Sequence, residues 1–230
     1  MISLSMLLAC GPKTLPPAPE GDSAQVLLDG VRLDVRWDDG DTFSWYDAAG
    51  EKQKARLKGF NTLESYGPVH RWGDWLGVEL YALATFSGEV AGSRVWTCTD
   101  TESGGGYGRK LVDCPELRAH LLLQGYAHAF SIDGPAPAED LDHQATAIKK
   151  GRGMWEKGAP DGLLTSLHSA DERDDGAAYN RVCSLTTGLC DKVTHDETYA
   201  ACQEVSMQGS HMLYVTYKAR YGEGRADCLR

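Results

Sequence analysis

Residues 25–60, QVLLDGVRLDVRWDDGDTFSWYDAAGEKQKARLKGF, alternate apolar and polar side chains in three bursts, 25–37, 42–47 and 52–60. A period of two is the spacing of a strand with one buried face. The bursts are separated by Asp38-Asp39-Gly40-Asp41 and Ala48-Ala49-Gly50, which are turn compositions. The stretch therefore reads as a three-stranded meander. Downstream the pattern changes. Residues 61–74 look irregular, and 75–90 carry Leu76, Leu80, Leu83, Ala84 and Phe86 at mostly helical spacing. Residues 93–99 and 109–113 read as strands joined by the Gly-rich hairpin TESGGGYG. Residues 116–124 form a short helix stopped by Gly125, and a brief strand follows. The Pro and acidic residues of PAPAED then open a helix of 138–150, ended by Gly151, with Met154 and Trp155 as a hydrophobic plug.

Five main strands with helices between and after them fit a mainly β plus α class. The expected form is a small, partly open, five-stranded OB-type barrel with three helices, spanning 24–158. Residues 159–176 are polar and rich in Asp and Gly and read as a linker. Residues 177–230 hold four cysteines, an expected helix near 196–207 and a strand near 211–219. A module of that size cannot rely on its core alone and suggests disulfide stapling.

Apolar content of 42% excludes wholesale disorder. Net charge is -10, and residues 24–158 carry 15 Lys and Arg against 20 Asp and Glu. That balance disfavours a broad electrostatic grip on a polyanion. Any nucleic-acid site must be a local basic pocket or use a bound cation.

Met1 to Ala9 is short and apolar and leads into Leu7-Leu8-Ala9-Cys10-Gly11. Small residues before a cysteine at the end of an apolar run look like a lipoprotein signal over 1–10, with Cys10 as the lipidated residue and membrane anchor, although no Lys or Arg precedes the run. Residues 11–23 are Pro-rich and read as a tether. Of seven cysteines, six remain once Cys10 is lipidated, which is three pairs suited to an oxidising compartment. Cys98 and Cys114 flank the Gly-rich turn and suit adjacent strands. Cys183, Cys190, Cys202 and Cys228 leave three connectivities open. The absence of Cys-x-x-Cys makes structural zinc the weaker reading.

Three segments carry candidate chemistry: Asp39-Gly40-Asp41-Thr42, Arg56 to Glu64, and Tyr107-Gly108-Arg109. Phosphodiester hydrolysis needs an oriented, deprotonated water and compensation of charge on the phosphoryl oxygens. A hard cation with oxygen ligands supplies the second. Asp41, Asn61 and the Thr62 carbonyl are candidate ligands. Glu64 is placed to hold or deprotonate the water. Arg56 and Arg109 can form bidentate contacts with phosphate oxygens. Singly each piece is unspecific, since Asp-Gly-Asp is more often a turn. Their combination in this order is far more specific.

On these motifs, residues 24–158 resemble the thermonuclease (staphylococcal-nuclease-like) family over somewhat under two thirds of the chain. Asp39-Gly40-Asp41-Thr42, Arg56-Leu57, Thr62-Leu63-Glu64 and Tyr107-Gly108-Arg109 correspond to its motifs. Gln124-Gly125-Tyr126-Ala127 and the helix running into Met154-Trp155 are similar as well. The resemblance implies an OB barrel with three helices, catalytic Arg56, Glu64 and Arg109, and a Ca²⁺ site at Asp41, with Mn²⁺ or another divalent cation as substitutes. The implied reaction is cleavage of DNA or RNA by water attack on phosphorus. Two departures stand out: Asn61 replaces a second metal carboxylate, and Leu63 replaces a proline. Ser131 and Asp133 fall where the family's nucleotide-stacking aromatic pair would align.

His70, Trp72 and Trp75 follow Glu64 closely. The tryptophans read as covers of the barrel rather than a base-stacking rim, and His120 and His128 read as structural. The expectation is thus a monomeric exported nuclease, lipid-anchored at the cell envelope or secreted. Its alternative is a catalytically weak or inactive nucleic-acid or protein binding module there. The C-terminal module is expected to stabilise the chain or to bind an envelope polymer, a partner protein or the substrate.

Overall fold

Asp29 and Gly30 both adopt left-handed backbone, with φ of 49° and 81°. Two such residues make the tight turn that matches strand twist. They split the first apolar burst into a hairpin, β1 (Gln25–Leu28) and β2 (Val31–Asp34). In the computed structural model, which describes residues 24–172 and 177–230, Val35 alone separates β2 from β3 (Arg36–Trp37). The expected signal with Cys10 and the tether at 11–23 lie outside the described residues.

β4 (Thr42–Tyr46), β5 (Lys52–Leu57), β6 (Phe60–Thr62) and β7 (His70–Trp72) precede helix α1 (Gly77–Gly92). β8 (Trp96–Gly104), β9 (Lys110–Asp113), α2 (Pro115–Gln124), β10 (Ala127–Ala129) and α3 (Ala138–Lys149) follow. The main sheet has seven strands in the order β2-β1-β8-β9-β5-β4-β3, with β1–β8 and β5–β9 parallel. Its two edge strands, β2 and β3, are consecutive in the chain, so the sheet must curl round until its edges approach. The result is a nearly closed, barrel-like sheet with three α-helices.

Inside the curl lie Phe43, Leu57, Phe60, Trp96, Val112, Leu117 and Leu121. Trp72, Trp75, Leu80, Met154 and Trp155 form a second cluster under α1, with Leu163 among them. Both tryptophans ahead of α1 are core: Trp72 donates to the Gly158 carbonyl at 3.1 Å and Trp75 to that of Met154 at 2.8 Å. Leu76, expected on the apolar face of α1, stands at its N-cap and is exposed.

The rest of the chain differs from the sequence expectation. The stretch 159–176 contains β11 (Gly162–Ser166), with Leu163 and Leu164 fully buried. β11 pairs with β12 (Ala178–Ser184), which pairs with β13 (Cys190–His195). The helix expected near 196–207 does not form. Its second half is β14 (Glu204–Met207), turned through Gln208 and Gly209 into β15 (Ser210–Leu213). β15 in turn adds to β7, pairing Ser210 with Trp72 and Met212 with His70, so a segment expected to be irregular supplies a strand to a distant partner. Long-range pairing overrides local helix period here. Tyr66, Val69, Leu164, Tyr199, Met212, Tyr214 and Leu229 share one further core. The disulfides are Cys98–Cys114, Cys183–Cys190 and Cys202–Cys228.

Leu164 is therefore a core residue and not part of a solvated connection. Leu164→Ala is expected to cost about 2–5 kcal/mol in urea denaturation. A change within the ~0.5 kcal/mol typical of surface positions would contradict its placement.

Candidate active site

Asp41 is the most buried charged group of the chemistry-bearing segments, at 1% exposure. It sits immediately before β4, and Thr42 faces Arg56 across the β4–β5 ladder, so the two side chains meet at the end of the strands. One carboxylate oxygen accepts from the Arg56 guanidinium and from the Thr42 hydroxyl at 3.0 Å. The other accepts from the Thr62 backbone N–H at 2.7 Å and its hydroxyl at 3.1 Å. Gly40 makes this approach possible, because a Cβ there would lie 2.7 Å from Thr62 Cγ2 and 2.9 Å from Ser87 Oγ. Burial alone would raise the Asp41 carboxyl, but Arg56 and the Thr62 N–H outweigh it and hold the group below the ordinary carboxylate range.

Asp39 accepts the Asp41 N–H at 3.0 Å. Desolvation, and then the like charge of Asp41, push its carboxyl well above the usual range. Glu64 keeps some solvent contact, yet its carboxyl is enclosed on most sides. Burial raises it, Arg220 is the largest charge opposing that rise, and Asp41, Arg56 and Arg109 also act on it. Arg109 follows a hairpin closed by Gly105 and Gly106, whose carbonyls accept from its guanidinium at 3.1 and 3.2 Å. Burial, and then the like charge of Arg56, disfavour its protonated form. Two guanidiniums and an enclosed carboxylate therefore share one place, and the guanidiniums are groups that can receive an anion. A groove lined by Arg36, Trp37, Asp38, Ser65, Tyr81 and Glu89 opens next to it, one residue from both Asp39 and Glu64.

All of the expected site residues come together: Asp41, Arg56, Asn61, Thr62, Glu64 and Arg109. The three expected metal ligands are nevertheless engaged. Both Asp41 oxygens already have two donors each. The Asn61 amide oxygen accepts from Arg56, and its amide nitrogen donates to the Thr62 carbonyl at 3.0 Å. The Arg56 guanidinium thus lies between Asp41 and Asn61, where a cation would need to be. Among the described residues no group of three or more His, Cys, Asp or Glu is arranged to hold a metal ion. In this arrangement the donor set does not fit a bound divalent cation.

Two further contributors join the site: His70, which the sequence marks by its nearness to Glu64 without giving it a role, and Arg220, which the sequence does not mark. His70 is buried, and its Nε2 accepts the Glu64 backbone N–H at 3.3 Å, so it positions the loop carrying that carboxylate. Arg220 comes from the C-terminal segment. Its guanidinium carbon stacks 4.2 Å from the Tyr66 ring centre, two residues beyond Glu64. Arg225 holds the Tyr66 carbonyl at 2.8 Å, and a side chain at Gly67 would collide with Leu229. No local motif marks Arg220; the pairing of β15 with β7 and the contacts of Arg225 and Leu229 bring its segment here. No family model matches this chain, and no curated protein matches it at a significant level.

The buried histidines set an acid limit. Desolvation, and then His128, lower His70 to about 3; desolvation lowers His128 to about 4. The folded chain refuses a proton that the unfolded chain takes up near the ordinary value of ~6.5, so stability is intact above that pH and is lost as pH falls toward 4. Thermal melts between pH 8 and 4 should show the midpoint falling from about pH 6.5, above the carboxylate range. His70→Gln should flatten that fall, and an unchanged slope would contradict the neutral, buried imidazole.

Proposed function

We propose that this chain is an exported phosphodiesterase that hydrolyses DNA or RNA by attack of water on phosphorus. The observation that carries the reading is the convergence of Arg56, Arg109 and Glu64 on one place, in a protein whose overall charge is negative. Glu64 accepts a proton from water as the new O–P bond forms. Its raised proton affinity makes it a stronger base than a solvated carboxylate. Arg56 and Arg109 stabilise the charge that builds on the phosphoryl oxygens while the ester P–O bond breaks. For Arg56 to reach phosphate it must loosen its contacts with Asp41 and Asn61.

The scaffold for this reading is a five-stranded OB-type barrel. Only Val35 separates β2 from β3, and β8, β9, β5 and β4 lie between the β1–β2 hairpin at one edge of the sheet and β3 at the other, which supports a barrel closed through that continuous segment. The thermonuclease resemblance rests on the same residues and adds a divalent cation, Ca²⁺ or Mn²⁺. No step above is routed through it, because Arg56 occupies the place between its expected ligands. Three disulfides suit an oxidising compartment, in keeping with export and anchoring through Cys10. A second reading, a catalytically weak binding module at the envelope, draws on that same engagement of Arg56.

Digestion of plasmid DNA and of RNA across a Ca²⁺ and Mn²⁺ titration separates the two. Glu64→Ala and Arg56→Ala should each reduce cleavage by about 10²–10⁴-fold. Where a cation displaces Arg56 from between Asp41 and Asn61, Asn61→Asp should shift the metal titration to lower concentration by adding a charged oxygen ligand; an unchanged titration would leave residue 61 outside the ligand set. Wild-type protein that leaves both substrates intact at several metal concentrations would sink the hydrolase reading.

A further inference from the structure

A ladder of alternating cations and aromatic rings runs away from Arg56 along the C-terminal strands. The Phe130 ring centre lies 5.9 Å from the Arg56 guanidinium carbon and 5.9 Å from that of Arg181. Arg181 lies 5.6 Å from the Tyr179 ring, and Lys192, which faces Arg181 from the neighbouring strand β13, places its Nζ 4.6 Å from the same ring. His168 packs its ring 4.5 Å from Tyr179. None of Phe130, Tyr179 and Arg181 is fully buried, and Lys192 is exposed.

The ladder is held rigidly against the site. Cys183–Cys190 staples the β12–β13 hairpin, and the Arg181 guanidinium donates to the Cys190 carbonyl at 3.0 Å. Ser131, next to Phe130, donates to the Gly188 carbonyl at 2.8 Å and accepts the Cys190 N–H at 2.8 Å. Among the described residues neither Arg181 nor Lys192 forms an ion pair with a carboxylate, although the chain has an excess of acidic residues. Partly exposed guanidinium and ammonium groups interleaved with rings, and left unneutralised in an acidic protein, offer phosphates a charged track and unstacked bases a flat partner.

We propose that Phe130, Tyr179, Arg181 and Lys192 form a binding track for single-stranded nucleic acid that leads the strand to Arg56. The inference rests on the reading of the site as acting on nucleic acid, and it assigns the substrate form: a strand whose bases are free to stack. A duplex keeps its bases paired and presents only backbone to the track. The track also gives the C-terminal strands a role, that of holding substrate beside a barrel that does the chemistry.

The test is fluorescence anisotropy of a labelled single-stranded oligonucleotide and its duplex, with the full chain carrying Glu64→Gln so that substrate persists. Tyr179→Ala should weaken single-strand binding by about 5- to 150-fold, the range for loss of one stacked base. Tyr179→Phe should bind like the parent, which separates lost stacking from a misfolded hairpin. Arg181→Ala with Lys192→Ala should reduce the slope of log affinity against log salt by roughly 1.4, two phosphates at ~0.7 each. Unchanged affinity and slope in these variants, or tighter binding of the duplex, would overturn the track. If the wild type cleaves nucleic acid while the track variants bind as the parent does, the track alone fails. If the wild type does not cleave but the variants lose binding as stated, the track stands and the hydrolase reading fails.

Discussion

A carboxylate with four hydrogen-bond donors lies at the meeting point of three strands. Asp41, preceding β4, is bound by Thr42 of β4, Arg56 of β5 and both the N–H and hydroxyl of Thr62 of β6. A buried, ionised carboxylate is tolerated only when such donors replace its water. The cluster fixes the end of the curled sheet, sets the direction of Arg56 and fixes where β6 ends. Glu64 is two residues further on, so its position is inherited from that anchor. Gly40 belongs to the same constraint, because any larger residue would separate the Asp41 loop from Thr62 and Ser87.

The charges around this anchor bear on the proposed function, against which the composition argues. A chain with a net charge of -10 is a poor general binder of polyanions. Here Arg56, Arg109 and Arg220 are gathered against Asp39, Asp41 and Glu64, and the proton affinities of Asp39, Asp41, Glu64 and Arg109 each respond to charged neighbours in this cluster. The enclosure that raises Asp39 and Glu64 also strengthens what the guanidiniums can do for an incoming anion. Local arrangement, not total charge, decides what such a surface can hold.

The C-terminal strands are bound into this arrangement by backbone pairing and by stapling. β15 extends the edge of β7, and Tyr66 and Val69, just past Glu64, share a core with Leu164, Met212 and Leu229. Cys202–Cys228 ties the approach to β14 to the chain end that carries Arg220 and Arg225. The loop after Glu64 is therefore covered by residues far along the chain, from Leu164 to Leu229, and His70 secures its backbone from beneath.

The sequence by itself determined the period-two meander, the three helices with their Gly and Pro boundaries, and the grouping of Asp41, Arg56, Asn61, Thr62, Glu64 and Arg109. These are legible because strand period, turn chemistry and motif spacing are local properties of the chain. Even the Asp29-Gly30 turn was written there, though the longer alternation of 25–37 masks it. Tertiary structure alone decided that Arg56 sits between Asp41 and Asn61, that 196–207 yields a strand in place of a helix, and that Arg220 and Arg181 lie beside the site. Each of these depends on contacts between residues far apart in the chain. Pairing energy and burial across such separations leave no periodic mark on either segment, because each is set by its partner and not by its own neighbours.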